Sequence, residues 1–181
     1  MRSSSFIAFN RTKSQFLSGG SRAFAINTNG GFTAVVFMAF TGTSASNERV
    51  FEFGNANAIS SISMSRSGTT ANIVCRVHSS AGVSLLNLVT TTSPIIAGEW
   101  AVYTMRYATS GNAVRILKNG VVIGSGTTSS TLPNMVVSSS FIGNGFNSSM
   151  LNGNIAGFYV YDRSLSDAQL ALVSNQLTLK G

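Results

Sequence analysis

Between Gly153 and Leu177 the chain reads GNIAGFYVYDRSLSDAQLALVSNQL, an alternating segment followed by a helix whose first turn is spelled out in the residues. In a strand, successive side chains point to opposite faces. Ile155, Gly157, Tyr159 and Tyr161 are therefore expected on one face of a strand, with Ala156, Phe158 and Val160 on the other. Both faces are largely apolar, which predicts a strand covered on both sides. Ser166 stands where an N-cap belongs, and Gln169 three residues later completes a capping box. Leu165 before the cap and Leu170 after it have the spacing of a hydrophobic staple. One capped helix at the end of a chain that otherwise reads as strands leaves few folds open.

Composition sets the class. The chain has 181 residues, the size of one domain spanning 1–181, and such a chain buries enough surface to hold itself together. Hydrophobic residues make up 44% and charged residues only 9%, against about 25% charged in an ordinary soluble domain. Ser, Thr, Asn and Gly supply the polarity instead, and these favour turns and strands over helix interiors. The formal net charge is +7, from twelve bases and five acids. The bases are scattered, so solvated single charges on strand exteriors are expected, with no linear basic motif. A basic face assembled in three dimensions would still favour an anionic partner such as nucleic acid or an acidic glycan. Cys75 is the single cysteine and is expected in the core, so no internal disulfide forms. The opening residues have no apolar leader, which points to cytoplasmic synthesis, in a virion among other settings. The longest apolar run, Phe32 to Phe40, is half of what a membrane-spanning helix needs and reads as a buried strand.

Short candidate strands recur along the whole chain, the pattern of a two-sheet sandwich or jelly roll. Lys118-Asn119-Gly120-Val121 is the sharpest local signal. Asn-Gly between two strand-like runs is the preferred type I′ hairpin turn, because both positions need positive φ. Before it, Ala101, Tyr103, Met105 and Tyr107 alternate along one face. Gly111 and Asn112 make a second turn, so Trp100 to Ile123 is expected to be a three-strand meander.

The segment EWAVYTMRYATSGNAVRILKNGVVIGSG resembles the central signature of laminin-G-like, concanavalin A-like jelly rolls: Trp100, a strand, a turn, a strand, Asn119-Gly120, a strand. The later SSSFIGNGFNSSMLNGNIAGFYVYDRSLSDAQL is similar to the family's ending, carried by Ile142, Gly143, Gly153, Asp162, Arg163, Leu165 and Ser166. The resemblance implies an all-β fold of two antiparallel sheets packed face to face, with one short C-terminal helix. It also implies a structural role for Trp100 in the core. Members of the family mostly recognise sugars, proteins or surfaces, and some relatives of the same fold are glycosidases, so the fold alone does not assign function.

The residues argue against catalysis. A glycosidase needs two carboxyl groups about 5.5 Å apart for retention or about 6.5–9.5 Å for inversion. Only Glu48, Glu52, Glu99, Asp162 and Asp167 are available. Glu48 and Glu52 on one strand would stand about 13 Å apart. The compact Glu-x-Asp-x-x-Glu set of hydrolase relatives is absent. Asp167 suits the dipole of the helix it opens. His78, the single histidine, reads as a surface residue, and a Cys75–His78 dyad would point to opposite faces of a strand. Zinc finds too few nitrogen and sulfur ligands. Calcium, carried by many laminin-G-like domains, would meet neutral amides at Asn55, Asn57, Asn144, Asn147, Asn152 and Asn154, a weakly binding set, so no metal or other cofactor is expected. No catalytic residue is assigned.

Two function classes remain. One is a structural or assembly module acting by surface contact, such as a minor capsid or particle-surface component of a virus, because charge-poor surfaces suit packing among protein neighbours. The other is a lectin-like carbohydrate-binding module. Its candidate rim is the loop with Asn144, Phe146, Asn147 and Asn152, which offers amides beside an aromatic ring.

Overall fold

The computed structural model describes residues 6–19, 24–26, 30–42, 47–55, 60–79, 83–132, 134–147 and 150–180. The described elements run β1 (Ile7–Phe9), β2 (Leu17–Ser18), β3 (Phe24–Ile26), β4 (Phe32–Phe40), β5 (Arg49–Gly54), β6 (Ser61–Arg66), β7 (Ile73–His78), β8 (Ser84–Val89), β9 (Ala101–Ala108), β10 (Ala113–Lys118), β11 (Val121–Thr127), β12 (Met135–Val137), β13 (Ser139–Ile142), β14 (Gly153–Tyr161) and α1 (Asp167–Lys180). One sheet has the order β1-β14-β4-β9-β10-β11, the other β2-β13-β5-β6-β7-β8, and β12 pairs with β3 in a small ribbon. Every pairing is antiparallel. This is the expected two-sheet sandwich with one C-terminal helix. Two short strands, β2 and β12, were not legible in the sequence, and β11 runs four residues beyond the expected Val121–Ile123. Among the expected positions, Asn57 lies outside the described residues.

Alternation builds the core. On β4 and β9, Phe32, Ala34, Val36, Met38 and Phe40 join Ala101, Tyr103, Met105 and Tyr107. They meet Phe51, Phe53, Ile62, Met64, Ile73, Cys75 and Val77 of the second sheet. Burial raises the Cys75 thiol far above the ordinary thiol range, so it is an inert core residue. Asn119 and Gly120 have φ of 50° and 80°, the conformation the hairpin turn requires. Asn119 also accepts a hydrogen bond from the Val102 amide at 2.8 Å, tying the turn to the neighbouring strand.

The alternate residues of the first sheet pack against the helix. Val35, Phe37, Val102 and Leu117 meet Leu165, Leu170 and Leu177 in a second apolar cluster. Both halves of the capping box form: the Ser166 amide donates to Gln169 Oε1 at 2.9 Å, and the Gln169 amide donates to Ser166 Oγ at 3.2 Å. Arg106 reaches the same corner, donating to the Leu165 carbonyl at 3.0 Å and pairing with Asp167. Asp167 thus has an ionic partner besides the helix dipole.

Three expectations are corrected. The faces of β14 are not set by simple alternation, because the register shifts between Ile155 and Gly157. A bulge adds one residue to one strand and re-aims the side chains beyond it. Ile155 and Phe158 therefore face the inter-sheet core, while Ala156, Tyr159 and Tyr161 pack on the helix side. Trp100 is not a core residue: it is 37% exposed, beside Phe37 at 5.1 Å and Phe6 at 5.7 Å between ring centroids. Ala101 starts the inward alternation of β9, so its predecessor falls on the opposite side. Nor are the bases all solvated. Arg49, Arg66 and Arg106 are buried, and Arg66 Nε stands 2.8 Å from Glu48 Oε2, with its guanidinium 5.0 Å from the Phe40 ring centre. Low charge content does not keep charge outside when each buried guanidinium finds acceptors. Burial also raises the pKa of Glu48, against the opposing pull of Arg66.

Candidate functional site

Among the described residues no helix covers the outer face of the second sheet, and its register lines up one row across all six strands, polar but for Phe141. Ser18 pairs with Phe141, Phe141 with Glu52, Glu52 with Ser63, Ser63 with Arg76, and Arg76 with Asn87. A second row runs Gly54, Ser61, His78 and Ser84. These residues point outward because Phe51, Phe53, Ile62, Met64, Cys75, Val77 and Leu86, their chain neighbours, point into the core.

The central strand β6 puts only serines on this face. Ser61, Ser63 and Ser65 are at most 2% exposed although they face away from the core. Long side chains stand on both sides of them: Arg49 and Glu52 on β5, Arg76 and His78 on β7. The result is a furrow only in side-chain length, small hydroxyls between longer charged groups: Arg49 lies over Ser63 and Ser65, so these hydroxyls are shielded from solvent, while Arg76 and His78 on the other side are half-buried. Arg49 Nη1 donates to Ser63 Oγ at 3.1 Å, and its Nε lies 3.5 Å from Glu52 Oε2. Arg76 Nε donates to Asn87 Oδ1 at 3.1 Å. His78 Nδ1 lies 3.4 Å from Ser61 Oγ. Sequence reading placed His78 at the surface; it faces outward but is partly buried. Burial, foremost, lowers its pKa below 6.5; Glu52 opposes the shift, and Arg76 and Arg49 add to it. Burial likewise lowers the Arg49 pKa, with Glu52 opposing.

At one end the furrow meets an aromatic group. Phe141 is edge-to-face with Phe16 at 5.9 Å and with Phe146 at 5.4 Å between centroids. The loop after β13 reaches this corner through Gly145, whose backbone passes so close to Glu52 and Arg49 that a Cβ would collide with both. The Phe146 amide then donates to Glu52 Oε2 at 2.9 Å.

The four loop residues read as a candidate rim are not gathered at one spot. Phe146 stands at the furrow's aromatic end. Asn144 is buried, and its Oδ1 has no hydrogen-bond partner among the described residues. Asn147 is exposed. Asn152 is turned elsewhere: its amide donates to Glu48 Oε1 at 3.0 Å, and its carbonyl accepts from Thr41. Gly143 has a φ of 78° and packs under Phe9, and Asp162 is exposed beyond β14. Sequence reasoning missed Arg49, Glu52, Ser63, Arg76 and Asn87 as a set. Alternation marks Glu52, Ser63, Arg76 and Asn87 as outward, but Arg49 joins them only through the register shift between Arg49 and Phe51, and nothing in the chain says that these strands are neighbours.

Glu48 and Glu52 serve different places, one held by Arg66 and the other by Arg49 and the Phe146 amide. Among the described residues no three of His, Cys, Asp and Glu converge to hold a metal ion. No described helix is long and apolar enough to cross a membrane. An apolar cleft of about 320 Å³ opens where the sheet edges β1 and β2 approach, lined by Phe6, Ile7, Phe9, Leu17, Ile142 and Phe158 among others.

Residues 12–171 match the family model described as the concanavalin A-like lectin/glucanases superfamily. No curated protein sequence matches the chain. Among solved structures, the fold is similar to Ruminococcus gnavus IT-sialidase CBM40 bound to α2,3-sialyllactose, with a TM-score of 0.65 and 13% identity, covering 88% of this chain and 96% of that one. It is similar to part of the NanB sialidase from Streptococcus pneumoniae, with a TM-score of 0.67 and 14% identity. There the match covers 86% of this chain but only 27% of the sialidase, so this chain corresponds to about a quarter of that enzyme. A SAP-like pentraxin from Limulus polyphemus is similar at a TM-score of 0.61 and 13% identity, covering 88% of this chain and 72% of the pentraxin chain. At these identities the likeness establishes the fold.

Proposed function

The chain belongs to the concanavalin A-like lectin/glucanase superfamily, and from that premise we propose that it is a non-catalytic, lectin-like carbohydrate-binding module whose ligand lies along the outer face of the second sheet. The observation that carries this reading is the furrow between the Arg49–Glu52 and Arg76–His78 walls, with an aromatic group at its end. Sugars present hydroxyls that need both donors and acceptors, together with apolar ring faces that pack on aromatic side chains. Arg76, His78 and Asn87, which reach the surface of this face, supply the first requirement, and Phe141 and Phe146 the second. Asn144 and Asn147, on the loop beside that end, would extend the rim. The CBM40 relative, whose structure holds a sialyllactose, supports carbohydrate recognition better than a capsid role.

Two separate carboxylates, each held by its own arginine, give no pair flanking one bond, which supports binding without hydrolysis. A glycan array probed with the full chain, followed by calorimetric titration of the best ligand, tests the proposal. Ser63→Leu forces a bulky side chain beneath Arg49 and is expected to abolish binding, at a cost in stability of about 1–3 kcal/mol. Retained affinity in a folded Ser63→Leu protein would remove this face from consideration.

A second reading, contact with protein neighbours in an assembly, is favoured by one observation. Phe6, Ile7, Phe16 and Leu17 are each more than 40% exposed, around the apolar cleft between the two sheet edges. Size-exclusion chromatography with light scattering tests it: a concentration-dependent oligomer dispersed by Leu17→Asp supports this reading, and a monomer at high concentration counts against self-association.

A further inference from the structure

We propose that the furrow takes an anionic glycan and that Arg76 receives its carboxylate or sulfate group, an inference that rests on the carbohydrate reading above. The face carries Arg49, Arg76 and His78 against one carboxylate, Glu52. That carboxylate is already engaged by the Phe146 amide and by Arg49. Arg49 in turn spends Nη1 on Ser63. Arg76 is placed differently. Asn87 Oδ1 holds its Nε at 3.1 Å, which fixes the plane of the guanidinium, and among the described residues no acceptor meets its two terminal nitrogens. A planar guanidinium fixed through Nε presents a ready fork to a carboxylate or sulfate.

The surroundings agree with the sign. Asn87, directly across from Arg76 on β8, is exposed and adds its amide within the same row. The positive field at this place is felt by His78, whose proton is disfavoured in part by Arg76 and Arg49. The net charge of +7 on the chain adds attraction for anions at a distance. Neighbouring strands lie about 4.8 Å apart, so Arg76 on β7 and the Phe141 ring on β13 are about 14 Å apart across the row. That span suits an oligosaccharide with an acidic sugar at one end and a neutral ring against the aromatic group at the other.

The test compares neutral, carboxylated and sulfated oligosaccharides of matched length, with a short single-stranded DNA as a generic polyanion. Titrations use the full chain at low and moderate salt. The expected result is preferential binding of the acidic sugars, weakened by salt, with Arg76→Gln reducing affinity by about tenfold or more and Arg76→Lys restoring part of it. Asn87→Ala, which leaves the charge but frees the guanidinium, is expected to give a smaller loss and serves as the second variant if Arg76→Gln does not fold. Neutral sugars bound as tightly as acidic ones, with Arg76→Gln unaffected, would overturn the acidic-ligand inference and leave the carbohydrate reading standing. DNA bound as tightly as the sugars, with the same dependence on Arg76, would also overturn it, as unspecific attraction. Failure of every sugar to bind would overturn both.

Discussion

The two outer faces of this sandwich are built on the same alternation and end in opposite chemistry. On the first sheet, the residues that point away from the core are Val35, Phe37, Val102 and Leu117, and a helix lies over them. On the second, the corresponding positions include serines, arginines, a glutamate, a histidine and an asparagine, with no helix above them among the described residues. Arginine shows the difference well. Arg106, under the helix, is engaged by the Leu165 carbonyl and Asp167; Arg76, on the other face, is braced by Asn87 through Nε, and no other described acceptor meets it. A covered face contributes stability, and an open polar face at equal depth in the fold is where contact with a ligand can be made.

Mutations should separate the two faces. Leu170→Ala removes a side chain that is 2% exposed between helix and sheet, and is expected to cost about 2–5 kcal/mol in urea unfolding while leaving sugar titrations unchanged. Ser166→Ala breaks the capping box and should cost about 1 kcal/mol, read as a lower melting temperature. If both variants keep parental stability, the helix is not what holds the first face, and the contrast fails.

On the open face the effects on stability are smaller. Because the folded state disfavours protonated His78, its contribution is present above the unfolded pKa of 6.5 and declines as the pH falls through that value. Unfolding between about pH 7.5 and 5.5 should therefore show a loss on acidification that His78→Gln reduces, and an unchanged slope in that variant would assign the loss to other groups. Arg76→Ala should change stability by no more than about 0.5 kcal/mol, since its one described side-chain bond lies at the surface. A large destabilisation there would make the open face structural and so erase the distinction.

Much of the fold was legible because its signals are local. The capping box, the Asn-Gly turn, the alternation of β9 and the apolar run of β4 each depend on residues within a few positions of one another. The candidate loop was legible only as composition: Phe146 stands at the furrow, while Asn152 is engaged with Glu48 on its own. The bulge at Ile155–Gly157 was invisible, because one inserted residue leaves no mark in an apolar stretch yet exchanges the faces on either side. Trp100 departs from the core for a related reason: the parity of its own strand outweighs the position that family resemblance implies.

By itself the sequence determined the class of structure: strands by alternation, turns by residues that tolerate positive φ, and a helix by its cap. Its five scattered acids also made binding rather than hydrolysis the expectation. Only the tertiary structure decided which strands became neighbours, and so brought Ser18, Phe141, Glu52, Ser63, Arg76 and Asn87 into one row from positions scattered along the chain. The physical reason is that side-chain direction follows from the local backbone, whereas strand pairing is fixed by burying both sheets at once, which no single segment encodes.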